Sequence, residues 1–514
     1  MKTRSFIVVV FPALLFLQIL ANAQPAPSSP CTSPNGSRFN LEPRPNAVVQ
    51  AAESVAFLPN GAGQNIDLVL ATATDMRSIS AGSNDVFYVQ RSSSNCQADL
   101  EGELPEISNA TDLFVPFGQP IAVTDSARDA FFMVDLRFGV STDDSGVGIV
   151  RTTAAALLNT KSCPNGTQHS GSAGCFTAAS VFNITPLNTF LSSPQIAVDQ
   201  RTTGIGAGDV YAVVTQSDHI SNAVTISLMA CTNATLNCSK SITVSGTDLQ
   251  PDFSFVQVRP DGGITVTYRN TTFPGINPED IKFVNCTPNG APAAPACSAP
   301  VLVAHEKTPI CASIIGVIPM LDVLYPIHTN RLESDGQTVT TFIVYDRCEV
   351  PVIDFGVAVD FCPKTDVVMT SSNDGGKTWS PVTKVTNSKG QQFFATIAND
   401  ASTGTVNLAY YSTENDPTLQ EHAQVFLAQI APETTTVGKP QLLTSGHADP
   451  QAISPVFVLL EPTGLGDRLG LAAAGTGTSG QSHAYVTFTW NSVPGIYAGV
   501  PSADTNNHLL LFQY

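Results

Sequence analysis

One pattern recurs along the chain at intervals of roughly 55 to 75 residues, and a period of that length constrains the fold before any single residue does. A short apolar strand is followed by a polar turn. A β-branched strand ending in polar or charged residues comes next, then a third strand and another turn. The clearest copy runs Pro194-Gln195-Ile196-Ala197-Val198-Asp199, then Asp209-Val210-Tyr211-Ala212-Val213-Val214, then Val224 to Met229. Other copies begin at Ser54, Pro120, Pro251, Val339, Phe393 and Leu469, which makes seven. Such units bury their apolar faces only by stacking, and units of three or four strands stack as the blades of a propeller. The pattern predicts an all-β, six- or seven-bladed β-propeller, with six blades if the first copy merges with the last. The seventh copy lacks a fourth strand, which Ala47-Val48-Val49 is placed to supply. The ring is therefore expected to close with strands from both termini, removing open sheet edges.

Composition agrees with this expectation. Of 514 residues only 13% are charged, while 37 Gly and 36 Pro serve many short strands and turns. No long run shows a helical apolar period. The N-terminus carries Lys2 and Arg4, an apolar run from Phe6 to Leu20, and Ala21-Asn22-Ala23, which reads as a secretory signal over 1–23. Interrupted by Pro12, that run is short for a membrane span of about 20 residues. Residues 24–45 form a Pro/Ser-rich leader without a core, and 46–514 form a single propeller domain. The mature protein is expected to be a soluble monomer, secreted, periplasmic or on the cell surface.

The net charge of −18 becomes −20 once Lys2 and Arg4 are removed with the signal. Nucleic acid and anionic membrane both call for a basic face, so neither is expected as a partner. Eleven cysteines all follow the signal, and in an exported chain disulfides are the default. Cys163 with Cys175, Cys231 with Cys238, and Cys286 with Cys297 are close pairs, and Cys348 with Cys362 is a looser one. Cys31, Cys96 and Cys311 are left, an odd set that sequence does not pair. Eight N-x-[ST] sequons occur, at Asn35, Asn109, Asn165, Asn183, Asn233, Asn237, Asn270 and Asn285.

The sharpest local motif is Ser371-Ser372-Asn373-Asp374-Gly375-Gly376-Lys377-Thr378-Trp379-Ser380. It lies between the strands Val367-Val368-Met369 and Val382-Thr383-Lys384-Val385, so it reads as a hairpin turn in which Gly-Gly supplies positive φ. The pattern S-x-D-x-G-x-T-W is filled by Ser372, Asp374, Gly376, Thr378 and Trp379. In such a turn the Asp accepts backbone N–H groups, the hydroxyls bond locally and Trp caps the adjoining core. This is an Asp-box, and the chain resembles the Asp-box (BNR repeat) β-propellers typified by sialidases. In that family the box lies at the blade periphery, away from the active site. The three close cysteine pairs each follow a third strand, where the fifth copy has its Asp-box. They are expected to pin those hairpins in blades two to four.

In a propeller, the loops between second and third strands and the blade-to-blade crossovers share the face opposite the Asp-box turns. Second strands here end in charge: Asp135 and Arg137, Arg269, Asp346 and Arg347, with Glu414 just beyond the sixth. Asp467 and Arg468 enter the innermost strand of the last copy from the same side. These residues form a candidate polar ring, and their alternative reading is solvated or mutually paired charge. The resemblance implies three arginines on a substrate carboxylate, an Asp acid/base and a Tyr activated by Glu. Tyr268 beside Arg269, and Tyr345 beside Asp346 and Arg347, have suitable types, whereas the family's Arg-Ile-Pro signature is absent. No zinc spacing, P-loop, G-x-S-x-G or EF-hand pattern occurs, and no metal or cofactor is expected. Phe273 and Tyr325 are loop aromatics of a kind that stacks on sugar rings. The leading expectation is binding of carbohydrate or an extracellular protein on the loop face. An exo-acting glycoside hydrolase of sialidase type is the alternative, and a structural envelope component is a third.

Overall fold

A computed structural model of the chain describes residues 38–40, 50–59, 67–75, 84–90, 98–167, 172–186, 188–271, 279–306, 313–314, 325–349, 361–362, 364–416, 422–444, 448, 468–475, 482–497 and 500–513. The signal and most of the leader lie outside these residues, as do Cys31, Cys96, Cys311, Phe273 and Asp467. Among the described residues no helix is long and apolar enough to cross a membrane.

Seven antiparallel sheets of four or five strands follow one another along the chain. Their innermost strands are Gln50–Leu58, Leu113–Asp125, Thr189–Val198, Pro251–Val258, Ile327–Leu332, Gln392–Asn399 and Gly470–Gly475, which define blades 1 to 7. Each innermost strand packs beside the next, and the seventh packs beside the first, so the chain is an all-β propeller. The last blade is completed by Arg38–Asn40, whose residues pair with Leu510, Leu509 and His508 of the C-terminal strand. The closing strand thus comes from further upstream than the expected Ala47-Val48-Val49, which lie outside the described residues. A small parallel pair, Ser313–Ile314 with Phe361–Cys362, stands apart from the blades.

The core consists of seven apolar clusters, one at each blade interface. A strand's period of two explains how one strand feeds two of them. In blade 3, Ile196, Val198, Val210, Ala212 and Val214 face blade 2, while Ala197, Tyr211 and Val213 face blade 4. Second strands are sandwiched on both faces, so Ile264–Thr271 and Val406–Ser412 are buried throughout. This is why their sequences read as continuous β-branched and aromatic runs rather than as alternating ones.

Innermost strands carry a repeated bulge near their start, at Ala51/Ser54, Gly118/Ile121, Ser192/Gln195, Asp252/Phe255 and Phe393/Thr396. The bulge residues Gln119, Ser193, Phe253 and Phe394 all have positive φ. Their N–H groups turn out of the ladder and need acceptors from elsewhere. Thr74 Oγ1 of blade 1 accepts from Gln119 at 2.9 Å, and Gln119 Oε1 accepts from Ser193 at 2.8 Å. Asp346 of blade 5 accepts from Phe394 and Ala395 of blade 6 at 2.6 and 3.2 Å.

On the opposite face, arginines in the first hairpins tie blade to blade. Arg201 grips Asp199 of its own hairpin with Nη2 at 2.7 Å and donates to the Asp261 carbonyl of blade 4 at 2.9 Å. Arg331 pairs with Glu333 at 2.9 Å and donates to the Ala431 and Thr434 carbonyls of blade 6 at 3.0 and 2.8 Å. The outer hairpins of blades 2 to 4 on this same face are closed by the disulfides Cys163–Cys175, Cys231–Cys238 and Cys286–Cys297. Cys348 is also disulfide-bonded, and the side chain of Cys362 lies outside the described residues.

In the blade 5 turn, Asp374 accepts from Ser372 Oγ, Lys377 N, Thr378 N and Thr378 Oγ1 at 2.8, 2.9, 3.0 and 2.6 Å. Bonds to the Thr378 hydroxyl and amide hold the Asp374 carboxyl well below its usual range, as charge-accepting donors do. Trp379 donates to the Gly376 carbonyl at 3.2 Å and packs edge-on against Phe283 of blade 4 at 5.1 Å. The turn therefore also seals an interface.

Candidate binding site at the loop-face mouth of the channel

All seven innermost strands or their entries line a central cavity of about 500 Å³. Its wall is made of small, aliphatic and neutral polar side chains from the parts of those strands beyond the bulges. No Asp, Glu, His or Lys lines it among the described residues. Tyr325 and Arg468, each just ahead of an innermost strand, bring the hydroxyl and the positive charge to this wall.

Both residues enter from the loop face, and there they meet side chains from other blades. Tyr325 of blade 5 accepts a bond from Gln195 Nε2 of blade 3 at 2.8 Å. Its ring lies 5.1 Å from Phe253 of blade 4, and the Arg468 guanidinium of blade 7 lies 5.4 Å above it. The Arg269 guanidinium sits 4.5 Å from the Phe253 ring. The result is a run of contacts, Arg269–Phe253–Tyr325–Arg468, in which the two rings are tilted by 50° and a guanidinium lies at each end. Cation–π pairing of this kind is worth about 0.5–2 kcal/mol per contact, more where water is excluded. Arg269 and Arg468 are each only 6% exposed. Glu279, fully buried, lies 3.9 Å from Arg269.

The remaining residues of the expected polar ring are placed elsewhere. Arg137 is buried against Asp135, with Nε to Oδ1 at 2.8 Å, and also donates to the Pro105 carbonyl. Asp85 of blade 1 abuts this pair, and burial with the Asp135 charge pushes its carboxyl well above the usual range. Asp346 caps the bulge of blade 6. Arg347 pairs with Glu349 at 2.8 Å, and Glu349 pairs with Lys384 of the outermost strand, also at 2.8 Å. Glu414 lies half-buried just past the second strand of blade 6.

Tyr345 donates to Glu306 at 2.6 Å and Tyr268 to Asp248 at 2.7 Å, so both tyrosines have a carboxylate partner. Both are fully buried between blades, and desolvation raises each hydroxyl far above its ordinary range. Each hydroxyl so held donates its hydrogen bond to the carboxylate. Arg137, Arg269 and Arg347 stand in three different blades, each on its own carboxylate. His328 is buried between the Thr265 and Thr267 hydroxyls at 2.8 and 2.9 Å, and burial pushes it down to about 3. No group of three His, Cys, Asp or Glu side chains is arranged to hold a metal among the described residues. Of the sequon asparagines, Asn233 donates its amide to Asp125 at 2.8 Å, Asn285 to the Gly375 carbonyl at 2.6 Å, and Asn270 is 4% exposed.

Arg269, Arg468 and Tyr325 are visible in the sequence as a strand-end charge, a strand-entry charge and a loop aromatic. Phe253 and Gln195 were not singled out. Both lie in the bulge regions of their innermost strands, and only Gln195 of the two lines the cavity.

No protein-family model matches the chain, and no curated protein does. Among solved structures it is similar to a polysaccharide lyase at 10% identity and TM-score 0.43, over 92% of this chain and 90% of that one. It is also similar to a Hadza microbial sialidase at 8% identity and TM-score 0.39, over 86% and 76%. A third is the GH93 α-L-arabinofuranosidase of Fusarium graminearum, at 10% identity and TM-score 0.36, over 63% and 94%. The propeller itself rests on the sheets and interfaces described above.

Proposed function

We propose that this chain is an exported, disulfide-stabilised propeller that binds carbohydrate at the loop-face mouth of its channel, without hydrolysing it there. The observation that carries the reading is the Arg269–Phe253–Tyr325–Arg468 run of contacts over a cavity whose described lining holds no carboxylate. Glycoside hydrolysis needs a proton donor and a base or nucleophile flanking the bond. Binding needs an aromatic surface and a few fixed polar groups, which Tyr325, Gln195 and Arg468 supply. The three disulfides suit an oxidising compartment.

The test is a glycan array probed with the mature chain, with Tyr325→Ala, Arg468→Ala and Arg347→Ala alongside, and a fluorogenic sialoside assay on the same samples. Binding that falls at least tenfold in the first two variants and persists in Arg347→Ala is expected, with no turnover. Sialoside turnover abolished by Arg269→Ala and Arg468→Ala would replace this reading with the sialidase-type hydrolase. A folded protein that retains no glycan would end the carbohydrate reading.

A further inference from the structure

Ten large hydrophobic side chains are prominently exposed among the described residues, and six of them sit on the loop face of blades 2 and 3. Phe117 and Phe190, each 50% exposed, stand at the starts of adjacent innermost strands, just ahead of their bulges. Val140 and Ile220, 58% and 77% exposed, cap the loops between the second and third strands of these blades. Ile184 lies near the end of the outermost strand of blade 2, Ala178–Thr185, and Leu249 on the crossover from blade 3 to blade 4. The aromatic members are braced rather than loose: Phe117 packs on Phe138 at 6.0 Å and Phe190 on His219 at 6.5 Å. Solvated surfaces seldom gather apolar side chains in this way without a partner.

The surrounding charge narrows the partner. The loop-face segments 105–122, 134–148, 182–195, 214–226 and 245–254 contain eight Asp or Glu and one Lys or Arg. That one cation, Arg137, is buried on Asp135. Asp143, Asp144, Asp218 and Asp248 are exposed or half-exposed around the apolar members. An anionic lipid surface, a nucleic acid or an acidic glycan would meet repulsion here. Two copies of this patch would face each other acid to acid. Four of the six members are Val, Ile or Leu, which offer no flat face for a sugar ring, and the Phe117 and Phe190 rings are each packed on a neighbouring ring. We infer that the loop face of blades 2 and 3 is a docking surface for a protein segment that presents apolar side chains flanked by lysine or arginine. The six apolar residues are none of those that form the channel mouth, and the inference does not depend on what the mouth binds.

The test is selection of a random twelve-residue phage-display library on the mature, disulfide-bonded chain, counter-selected on a Phe117→Ser, Phe190→Ser, Ile220→Ser variant. All three positions are exposed, so the variant is expected to keep the wild-type melting temperature, which is checked first. The expected result is enrichment of sequences that combine apolar residues with Lys or Arg. A synthetic peptide of the consensus should then lose at least tenfold affinity for the variant and weaken as salt rises from 100 to 500 mM. Failure to enrich, a consensus without basic residues, or equal affinity for the variant would each overturn the inference. So would self-association of the protein by sedimentation that the three substitutions abolish. Tyr325→Ala should leave peptide binding unchanged, so this outcome is read independently of the glycan array.

Discussion

Replacing Asp346 by asparagine tests how the blades are joined. Its carboxyl is fully buried and accepts from the two bulge amides of Phe394 and Ala395, at 2.6 and 3.2 Å. Phe394 has a φ of 55°, a conformation that costs a non-glycine residue about 1–2 kcal/mol and persists only where its surroundings hold it. Burial pushes the Asp346 carboxyl up to about 7 against the pull of the two amides. An unfolded Asp titrates near ~4. Between those values the folded chain keeps a proton that the unfolded chain has released. The contribution of this group to stability is therefore complete below pH ~4, falls as pH rises, and levels off above ~7. At most ~1.4 kcal/mol is lost per pH unit, so the whole window spans no more than ~4 kcal/mol. Asparagine does not titrate. It also turns an NH₂ group toward one of the two amide donors, and leaving such a buried donor unpaired costs about 1–3 kcal/mol. Asp346→Asn should thus be less stable than the wild type near pH 4.5, and the gap should close or reverse by pH 7.5. Guanidinium unfolding of the mature chain at three pH values measures this, with the other carboxyls common to both proteins. A difference that stays constant or widens with pH would refute the assignment of Asp346 as a buried, mostly protonated cap.

Two further expectations concern the turn and the tyrosines. Gly376 has a φ of 83°, and a Cβ there would lie 2.2 Å from the Phe283 ring, so Gly376→Ala should cost on the order of 3 kcal/mol from backbone strain and overpacking; unchanged denaturant unfolding would show that the turn does not seal the interface. Tyr345 is held protonated by burial beside Glu306, so ultraviolet titration of the folded protein to pH 11 should be the same for Tyr345→Phe as for the wild type, and a missing phenolate step in the variant would restore Tyr345 as a candidate nucleophile.

Much of the fold is legible because strand period and blade packing obey one rule. Ile196 and Val198 part from Ala197 in the sequence pattern just as they part between two interfaces in the structure. The blade 5 turn is legible because its bonds are local, spanning Ser372 to Thr378. Arg38–Asn40 is not, because three residues in a polar leader carry no period, and they become a strand only against the C-terminal strand. The bulges are equally silent. Gln119, Ser193, Phe253 and Phe394 all have positive φ, yet no one residue type, and no glycine, marks the position. One device does leave a trace. The pairs Asp199-x-Arg201, Arg259-x-Asp261 and Arg331-x-Glu333 recur at the first hairpins, and two-residue spacing lets an arginine hold its carboxylate while reaching the next blade.

The strand-end charges show why residue type alone misplaces a site. Sequence puts Arg137, Arg269, Asp346 and Arg347 at one height on one face, and they are at that height. What sequence leaves open is the azimuth of each side chain, which depends on the neighbouring blade. Arg347 turns outward to Glu349 and Lys384, Asp346 turns sideways into a bulge, and Arg137 turns onto Asp135. Arg269 alone of the four reaches the aromatic pair, because Phe253 stands in the bulge opposite it. The mouth is thus assembled from one residue each of blades 3, 5 and 7 and two of blade 4, each ordinary in its own segment. A ring of blades with equivalent strands differs at its axis only in such individual choices.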